Sequence, residues 1–224
     1  MMMKTNNTCY QASKHRGRSG GFSLVEITLV VFVMSVLAAI TVPNVMLTIS
    51  NVKLRGTAAD VAGLMQQARI MAAKNNPQNP PAYAIKFAVL NGTQSAYVDL
   101  NGTGTWNSTA VVNGVNTYEP IVGFGGTVKP APAPPNGSGG QPPAYVLAGD
   151  SSTGGPFTNA NTLAFSPRGL PCDYSAPPAC ATPAPSYFVY YLTDARIGNP
   201  GWAAVVVTKG GRTKVVVWNG SSWN

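Results

Sequence analysis

The chain has 224 residues, 45% apolar and 9% aromatic, which is enough for one packed domain with an appendage and argues against disorder throughout. Only 10% of the residues are charged, against roughly 25% in an average soluble domain, while 24 glycines and 19 prolines indicate many turns. This composition disfavours a helix-rich cytosolic enzyme and favours an exported, loop-rich β protein. The formal net charge of +8 suits nucleic acid or an anionic membrane as a partner, and three cysteines leave one unpaired if two are bridged.

The N-terminus combines a basic segment with an apolar one. Residues 1–21 contain four cations and no acid, and they end in Ser19-Gly20-Gly21. The run from Phe22 to Val42 then carries a single charge, on Glu26. As a helix it would be about 31 Å long, which matches the hydrocarbon thickness of a bilayer. The basic flank predicts a cytoplasmic N-terminus and an exported C-terminal part.

Glu26 is the unusual residue of the apolar run, because a carboxylate in such a segment costs about 2.5–3.5 kcal/mol on insertion scales. One interpretation is that it lies close enough to the membrane edge to stay hydrated. The other starts from cleavage after Gly21, which would give Phe22 a new α-amino group. Glu26 would then be available to an amine on a neighbouring subunit.

Residues 20–44, GGFSLVEITLVVFVMSVLAAITVPN, resemble the class III signal and N-terminal helix of type IV pilins and pseudopilins. The resemblance implies that prepilin peptidase cuts after Gly21, that Phe22 becomes N-methylated and that Glu26 pairs with the amine of the adjacent subunit. It also implies a helix kink at Pro43. A cut after Gly20 would move Glu26 from the fifth mature position to the sixth, so Gly21 is preferred.

A conventional secretory signal is the competing interpretation of the same segment, with a small-residue cleavage site at Val36-Leu37-Ala38. The glutamate inside the apolar run and the Gly-Phe boundary both disfavour it. N-terminal sequencing separates the two, because N-methylated Phe22 supports the pilin interpretation and a chain that starts at Ala39 excludes it.

The helical pattern continues after Pro43, over residues 44–76, with a narrower apolar face that we expect to pack on a β domain. Asn75-Asn76-Pro77 is a stop signal. The apolar positions of this amphipathic half are Val45, Ile49, Val52, Val61, Leu64, Met65, Ala68, Met71 and Ala72.

From residue 82 the apolar period changes to that of strands. Asn-Gly-Thr recurs at 91–93 and 101–103 and predicts two successive hairpin turns, whereas 129–143 is a Pro/Gly-rich surface loop. The predicted strands lie within 82–90, 94–100, 109–112, 117–124, 144–148, 161–166, 187–193, 202–208 and 212–218. The predicted fold is therefore α+β: a long N-terminal helix, membrane-spanning over 22–43, carrying an antiparallel, β-rich, sandwich-like domain over 77–224.

Three further stretches resemble the GspH/FimT branch of minor pilins and pseudopilins. They are LRGTAADVAGLMQQARIMAAKNN at 54–76, LAFSPRGLP at 163–171 and VVVTKGGRTKVVVWNGSSW at 205–223. In that branch a β-rich sandwich is carried on the N-terminal helix, which is what the resemblance implies for this chain.

Catalytic chemistry has little support in the sequence. The single histidine, His15, lies in the predicted leader, and no phosphate-binding loop, HExxH motif, nucleophile elbow or CxxC occurs. We therefore predict no enzyme activity, no metal site and no cofactor. Cys9 would leave with the leader, so Cys172 and Cys180 remain, and an exported chain is expected to bridge them in a structural disulfide.

The C-terminal segment has two interpretations. Lys209, Arg212 and Lys214, with Trp218 and Trp223, could contact phosphates and stack bases. A basic GRxR-type segment is associated with DNA binding in the FimT-like subset, although Lys214 replaces the last arginine and loses its bidentate fork. The second interpretation is an ordinary edge hairpin with a charged outer face. Without the four leader cations, 11 basic and 7 acidic residues leave a net charge of +4.

The sequence thus predicts a structural subunit in the bacterial inner membrane, single-pass with its C-terminal domain in the periplasm. Its partners would be other pilins, prepilin peptidase with its N-methyltransferase activity, and the membrane itself. The filament would be a type II secretion pseudopilus or a type IV pilus, between which the helix does not discriminate. The alternative is a DNA-binding minor pilin that acts in natural transformation.

Overall fold

The computed structural model describes residues 21–75, 83–112, 114–131, 157–158, 162–176, 179–181, 187–195 and 201–224. Several predicted features lie outside these residues. They are residues 1–20 of the predicted 1–21 leader, with Cys9 and His15, then Asn76 and Pro77 of the helix stop, most of the 129–143 loop and the predicted strand at 144–148. The described part is α+β, as predicted, with one long helix followed by mainly antiparallel sheets.

Helix α1 runs from Leu24 to Asn75 and continues through Pro43. Because proline has no amide hydrogen, the Ala39 carbonyl loses its helical donor at this point. The chain divides into two compact units, Met1–Asn44 and Val45–Asn224, so that α1 begins in the first unit and ends in the second.

Within the described residues, the β part consists of short strands arranged in four sheets. One sheet has the order β1-β2-β5, and a second has the order β13-β12-β11-β6 with β7 parallel to β11. A third has the order β10-β9-β8, and β3 pairs with β4 alone. The strands are β1 Ala84–Leu90, β2 Thr93–Asp99, β3 Ala110–Val112, β4 Val115–Thr117, β5 Ile121–Gly123, β6 Val128–Ala131, β7 Phe157–Thr158, β8 Leu163–Phe165, β9 Pro171–Ala176, β10 Ala179–Ala181, β11 Phe188–Asp194, β12 Gly201–Val207 and β13 Thr213–Val217.

The second unit is held by a core between the helix and the sheets. The helix contributes Leu54, Ala58, Val61, Leu64, Met65, Ala68 and Ala72, each at most 3% exposed. They pack with side chains of both larger sheets, including Ile85, Val98, Phe188, Tyr190 and Val205. The predicted apolar face is confirmed from Val61 onward. The predicted packing was wrong for Val45, Ile49 and Val52, which stay 48–65% exposed.

The two Asn-Gly-Thr stretches behave differently. Asn91 and Gly92 form the predicted two-residue hairpin turn between β1 and β2, with φ of 50° and 78°. The prediction of a second hairpin turn at 101–103 was wrong. Residues 100–109 form a loop whose backbone amides bond to the carboxylates of Asp99 and Glu119, so side chains rather than a strand pair close it.

Candidate functional site

The apolar half of α1 is exposed on all sides. Large side chains from Phe22 to Val52 expose between 43% and 79% of their surface, and the most apolar window is entirely unburied. This is the single helix in the described part of the chain that is long and apolar enough to cross a membrane. Phe22 itself is 77% exposed and precedes the first helical residue.

Several polar side chains in this half donate hydrogen bonds to carbonyls of the helix itself. The hydroxyls of Thr28, Ser35 and Thr41 donate to the carbonyls of Val25, Val31 and Leu37 at 2.7–2.9 Å. The Asn44 amide likewise donates to Ile40 at 3.2 Å. Such internal bonds allow a polar residue in an apolar surrounding at little cost.

The Glu26 carboxylate has no such partner. It is exposed in the first turn of α1, and within the described residues it makes no side-chain hydrogen bond or ion pair. A carboxylate has no donor hydrogen, so Glu26 cannot bond to a carbonyl of its own helix as Thr28 and Ser35 do. Glu26 is therefore a charged group in this apolar surface with no side-chain bond to its own helix.

The C-terminal basic segment contains a turn that has a close counterpart elsewhere in the fold. Between β12 and β13, the Gly211 amide donates to the Thr208 carbonyl at 2.8 Å, and the Arg212 amide to the Thr208 hydroxyl at 3.2 Å. Between β8 and β9, Gly169 and Leu170 make the same two bonds to Ser166. We call Ser166–Leu170 and Thr208–Arg212 the twin turns. The fourth residue of each turn is a glycine with positive φ, 72° at Gly169 and 77° at Gly211.

Arg69 of α1 joins the twin turns. Its Nε donates to the Gly169 carbonyl at 2.9 Å and its Nη1 to the Gly211 carbonyl at 3.1 Å. A Cβ on Gly211 would stand 2.9 Å from the Gly169 carbonyl oxygen, so the turns touch and leave no room for a side chain there.

This geometry brings together cations that are far apart in the sequence. Arg168 and Arg212 flank the touching glycines and are exposed, and Lys209 is half-buried in the same turn as Arg212. Sequence reasoning identified Lys209 and Arg212 but missed Arg69 and Arg168. The sequence signal for the paired turns was a hydroxyl residue three positions before a glycine, which occurs in both Ser166–Leu170 and Thr208–Arg212.

The two predicted tryptophans lie in a different environment. Trp223 is 3% exposed and packs in a second apolar cluster with Tyr191, at a ring-centroid distance of 6.0 Å. Trp218 is half-buried, 5.5 Å from Trp223. Lys214 is half-buried on β13 opposite Val206. This burial argues against base stacking by Trp223 and leaves the cations as the accessible part of the segment.

Cys172 is disulfide-bonded and fully buried. It lies on β9, and Cys180 falls on β10, the antiparallel neighbour in which Ala181 is opposite Asp173. Their backbones therefore run side by side in one sheet, where the sequence suggested a proline-rich loop. The Cys172–Cys180 pairing stays a prediction.

A buried acidic pair organises the 100–109 loop. The Asp99 carboxylate accepts from the amides of Gly102 and Gly104, and that of Glu119 accepts from Leu100 and Asn107, at 2.6–3.0 Å. Burial raises the pKa of the Glu119 carboxyl, the backbone donors oppose this, and nearby Asp99 adds to it. Burial, followed by the charges of Asp99 and Glu119, raises the pKa of Tyr97 to about 12.

No group of three or more His, Cys, Asp or Glu side chains spaced to hold a metal occurs among the residues that the structure describes. Comparison with protein-family models, with curated proteins and with solved structures finds no match to this chain, so these comparisons assign it to no family.

Proposed function

We propose that this chain is a minor pilin or pseudopilin, a structural subunit of a type IV pilus or a type II secretion pseudopilus. The observation that carries the proposal is the exposed apolar half of α1, in which Thr28, Ser35 and Thr41 bond to their own helix and the charged Glu26 does not. A helix that is apolar all round needs either lipid or other such helices around it. A filament subunit meets both surroundings in turn.

In this proposal the chain is first a single-pass protein of the bacterial inner membrane, with a cytoplasmic N-terminus and a periplasmic C-terminal domain. Prepilin peptidase cuts after Gly21 and methylates Phe22. The membrane-spanning first half of α1 and a sandwich-like order of the sheets belong to the same proposal.

Glu26 then selects the register between subunits. In the filament core an unpaired carboxylate would be expensive, and the amine of Phe22 on the adjacent subunit is the group of opposite charge at the right end of the helix. Only a limited set of axial positions brings the two together, so assembly is directed by one ion pair.

Variants of Glu26 test the proposal. We expect Glu26→Leu to insert into the membrane and to be cleaved normally, but to be lost from sheared filaments. Thr28→Val is the matched control, because it removes a hydroxyl bonded to its own helix and should assemble normally. N-terminal sequencing of the mature chain belongs to the same experiment. A chain that starts at Ala39, or a Glu26→Leu protein that assembles like wild type, contradicts the proposal.

A second candidate function is DNA binding by the twin turns, favoured by the convergence of Arg168, Lys209 and Arg212 around Arg69. Exposed cations that contact phosphates release counterions, so Arg168→Ala and Arg212→Ala should each reduce the slope of log K against log salt by about one. Lys74→Ala, at the exposed end of α1, is the control and should leave the slope unchanged. If the wild-type protein does not bind DNA at low salt, this function is excluded.

A further inference from the structure

Strand β5 has an open edge. Within the described residues it pairs only with β2, and the bonds from Val98 to Pro120 and from Phe124 to Gln94 fix which amides face that partner. In an antiparallel ladder the hydrogen-bonded positions alternate, so Val122 faces β2 while Ile121 and Gly123 direct their N–H and C=O groups away from it. Two consecutive ladder positions of β5 are therefore available to another strand.

Strand β13 has an open edge with the same spacing. Among the described strands it pairs with β12 alone, and the bonds from Thr208 to Arg212 and from Trp218 to Trp202 fix the alternation. Thr213, Val215 and Val217 consequently direct their backbone groups outward. Asn224 already occupies the outward position of Val217, through two bonds of 2.9 Å. Thr213 and Val215 remain, which gives two ladder positions on β13 as on β5.

The two edges differ in charge. The β5 edge lies along a groove of about 810 Å³, whose opposite wall is the helix segment with Asp60, Gly63 and Gln67. Asp60 is exposed and has no ion-pair partner among the described residues, whereas Asp99, Glu119 and Asp194 are at most 2% exposed. Gly63 has open space where a side chain would stand, which keeps the groove clear. The β13 edge instead carries Lys214, with exposed Arg212 just before it.

We propose that β13 of one copy of this chain adds to β5 of a second copy, with Lys214 directed to Asp60. The free backbone groups match in number and spacing, and the charges are opposite. Because the two edges lie at different places on one chain, the contact is head-to-tail and leaves a free edge at each end. Further copies can therefore be added at either end. The inference goes beyond the proposed function, which concerns the N-terminal helix.

Charge exchange in the full-length protein tests this contact, with association measured by sedimentation in detergent micelles. Asp60→Lys and Lys214→Glu should each associate about tenfold more weakly than wild type, because each sets like charges against one another. A mixture of the two variants should regain association, since each supplies the charge that the other needs. The double variant in one chain should regain it as well.

A backbone variant provides an independent arm. Gly123→Pro removes an outward amide hydrogen without removing a bond to β2, so it should block association, while Gly123→Ala should not. A Cβ added at position 123 would meet only Thr93 Cγ2, at 3.8 Å. Glu26→Leu should associate like wild type in this assay, which separates the contact from the proposed helix register.

A wild-type chain that stays monomeric at all concentrations overturns the proposal. So does a mixture of Asp60→Lys and Lys214→Glu that fails to recover association, or a Gly123→Pro protein that associates normally. Circular dichroism spectra that match wild type ensure that each loss reflects the edge and not the fold.

Discussion

Replacing Arg69 should loosen the attachment of α1 to the twin turns. In Arg69→Met the apolar stem is kept, but the carbonyls of Gly169 and Gly211 lose donors at 2.9 and 3.1 Å. Hydrogen bonds to a charged group contribute about 1.5–3 kcal/mol each, and water can reach this half-buried site, so we expect a total loss of about 2–3 kcal/mol. In a domain of this size that corresponds to a fall of about 5–10 °C in Tm.

The assay is urea unfolding of the full-length protein in micelles, followed by tryptophan fluorescence. Arg69→Lys keeps the charge but can reach only one carbonyl well, so its loss should be about half as large. Arg55→Met is the control, because Arg55 is exposed on the same helix and should change stability by less than about 0.5 kcal/mol. If Arg69→Met unfolds at the same urea concentration as Arg55→Met, the twin turns do not depend on this residue.

Four further outcomes follow from the same structure. Gly211→Ala should lower the free energy of unfolding by about 1–3 kcal/mol, because φ is 77° and the new Cβ would stand 2.9 Å from the Gly169 carbonyl oxygen. The neighbouring variant Gly210→Ala, which has open space for its Cβ, should lower it less in the same assay. The Tyr97 hydroxyl should contribute stability that is complete below pH 10 and is lost as the pH rises to about 12, because its pKa is raised in the fold. Tyr97→Phe should remove this part of the alkaline transition. In an NMR titration the pKa of the Glu119 carboxyl should lie above its usual value of 4.5. Because this pKa is raised in the fold, the contribution of Glu119 to stability should decrease as the pH rises from 4.5. A titration midpoint at 4.5 would refute this. The tryptic fragment 169–196 of the unreduced protein should be lighter by two hydrogens than after reduction, and two free thiols there would exclude the Cys172–Cys180 bridge.

The long helix and most of the larger strands could be predicted because their apolar periods are strong and uninterrupted. Strands that contain proline could not. Pro130 suggested a loop, yet β6 is the edge strand beside β11, where a missing amide hydrogen is tolerated. Similarly, Glu119-Pro120 divides the predicted strand over 117–124, so that only β5 continues after it.

The candidate sites divide in the same way. Gly21, Phe22 and Glu26 belong to one continuous motif, and their roles stay predictions from the sequence. Arg69 resembled a solvent-facing cation of an amphipathic helix, since its two acceptors lie about 100 and 140 residues further along the chain. Contacts over such separations depend on how sheets pack, which local patterns do not encode.

The internal hydrogen bonds of the apolar helix half also affect the cost of moving this helix from lipid into a protein surrounding. The hydroxyls of Thr28, Ser35 and Thr41 bond to carbonyls of the same helix. Transfer of the helix from lipid to a protein surrounding would therefore neither break these hydrogen bonds nor require new ones. For these residues the transfer is neutral in hydrogen-bond enthalpy, and the process can run in either direction. In the proposed assembly the difference between lipid and filament rests on the Glu26 carboxylate, so that one proton or the amine of an adjacent Phe22 would make the exchange directional.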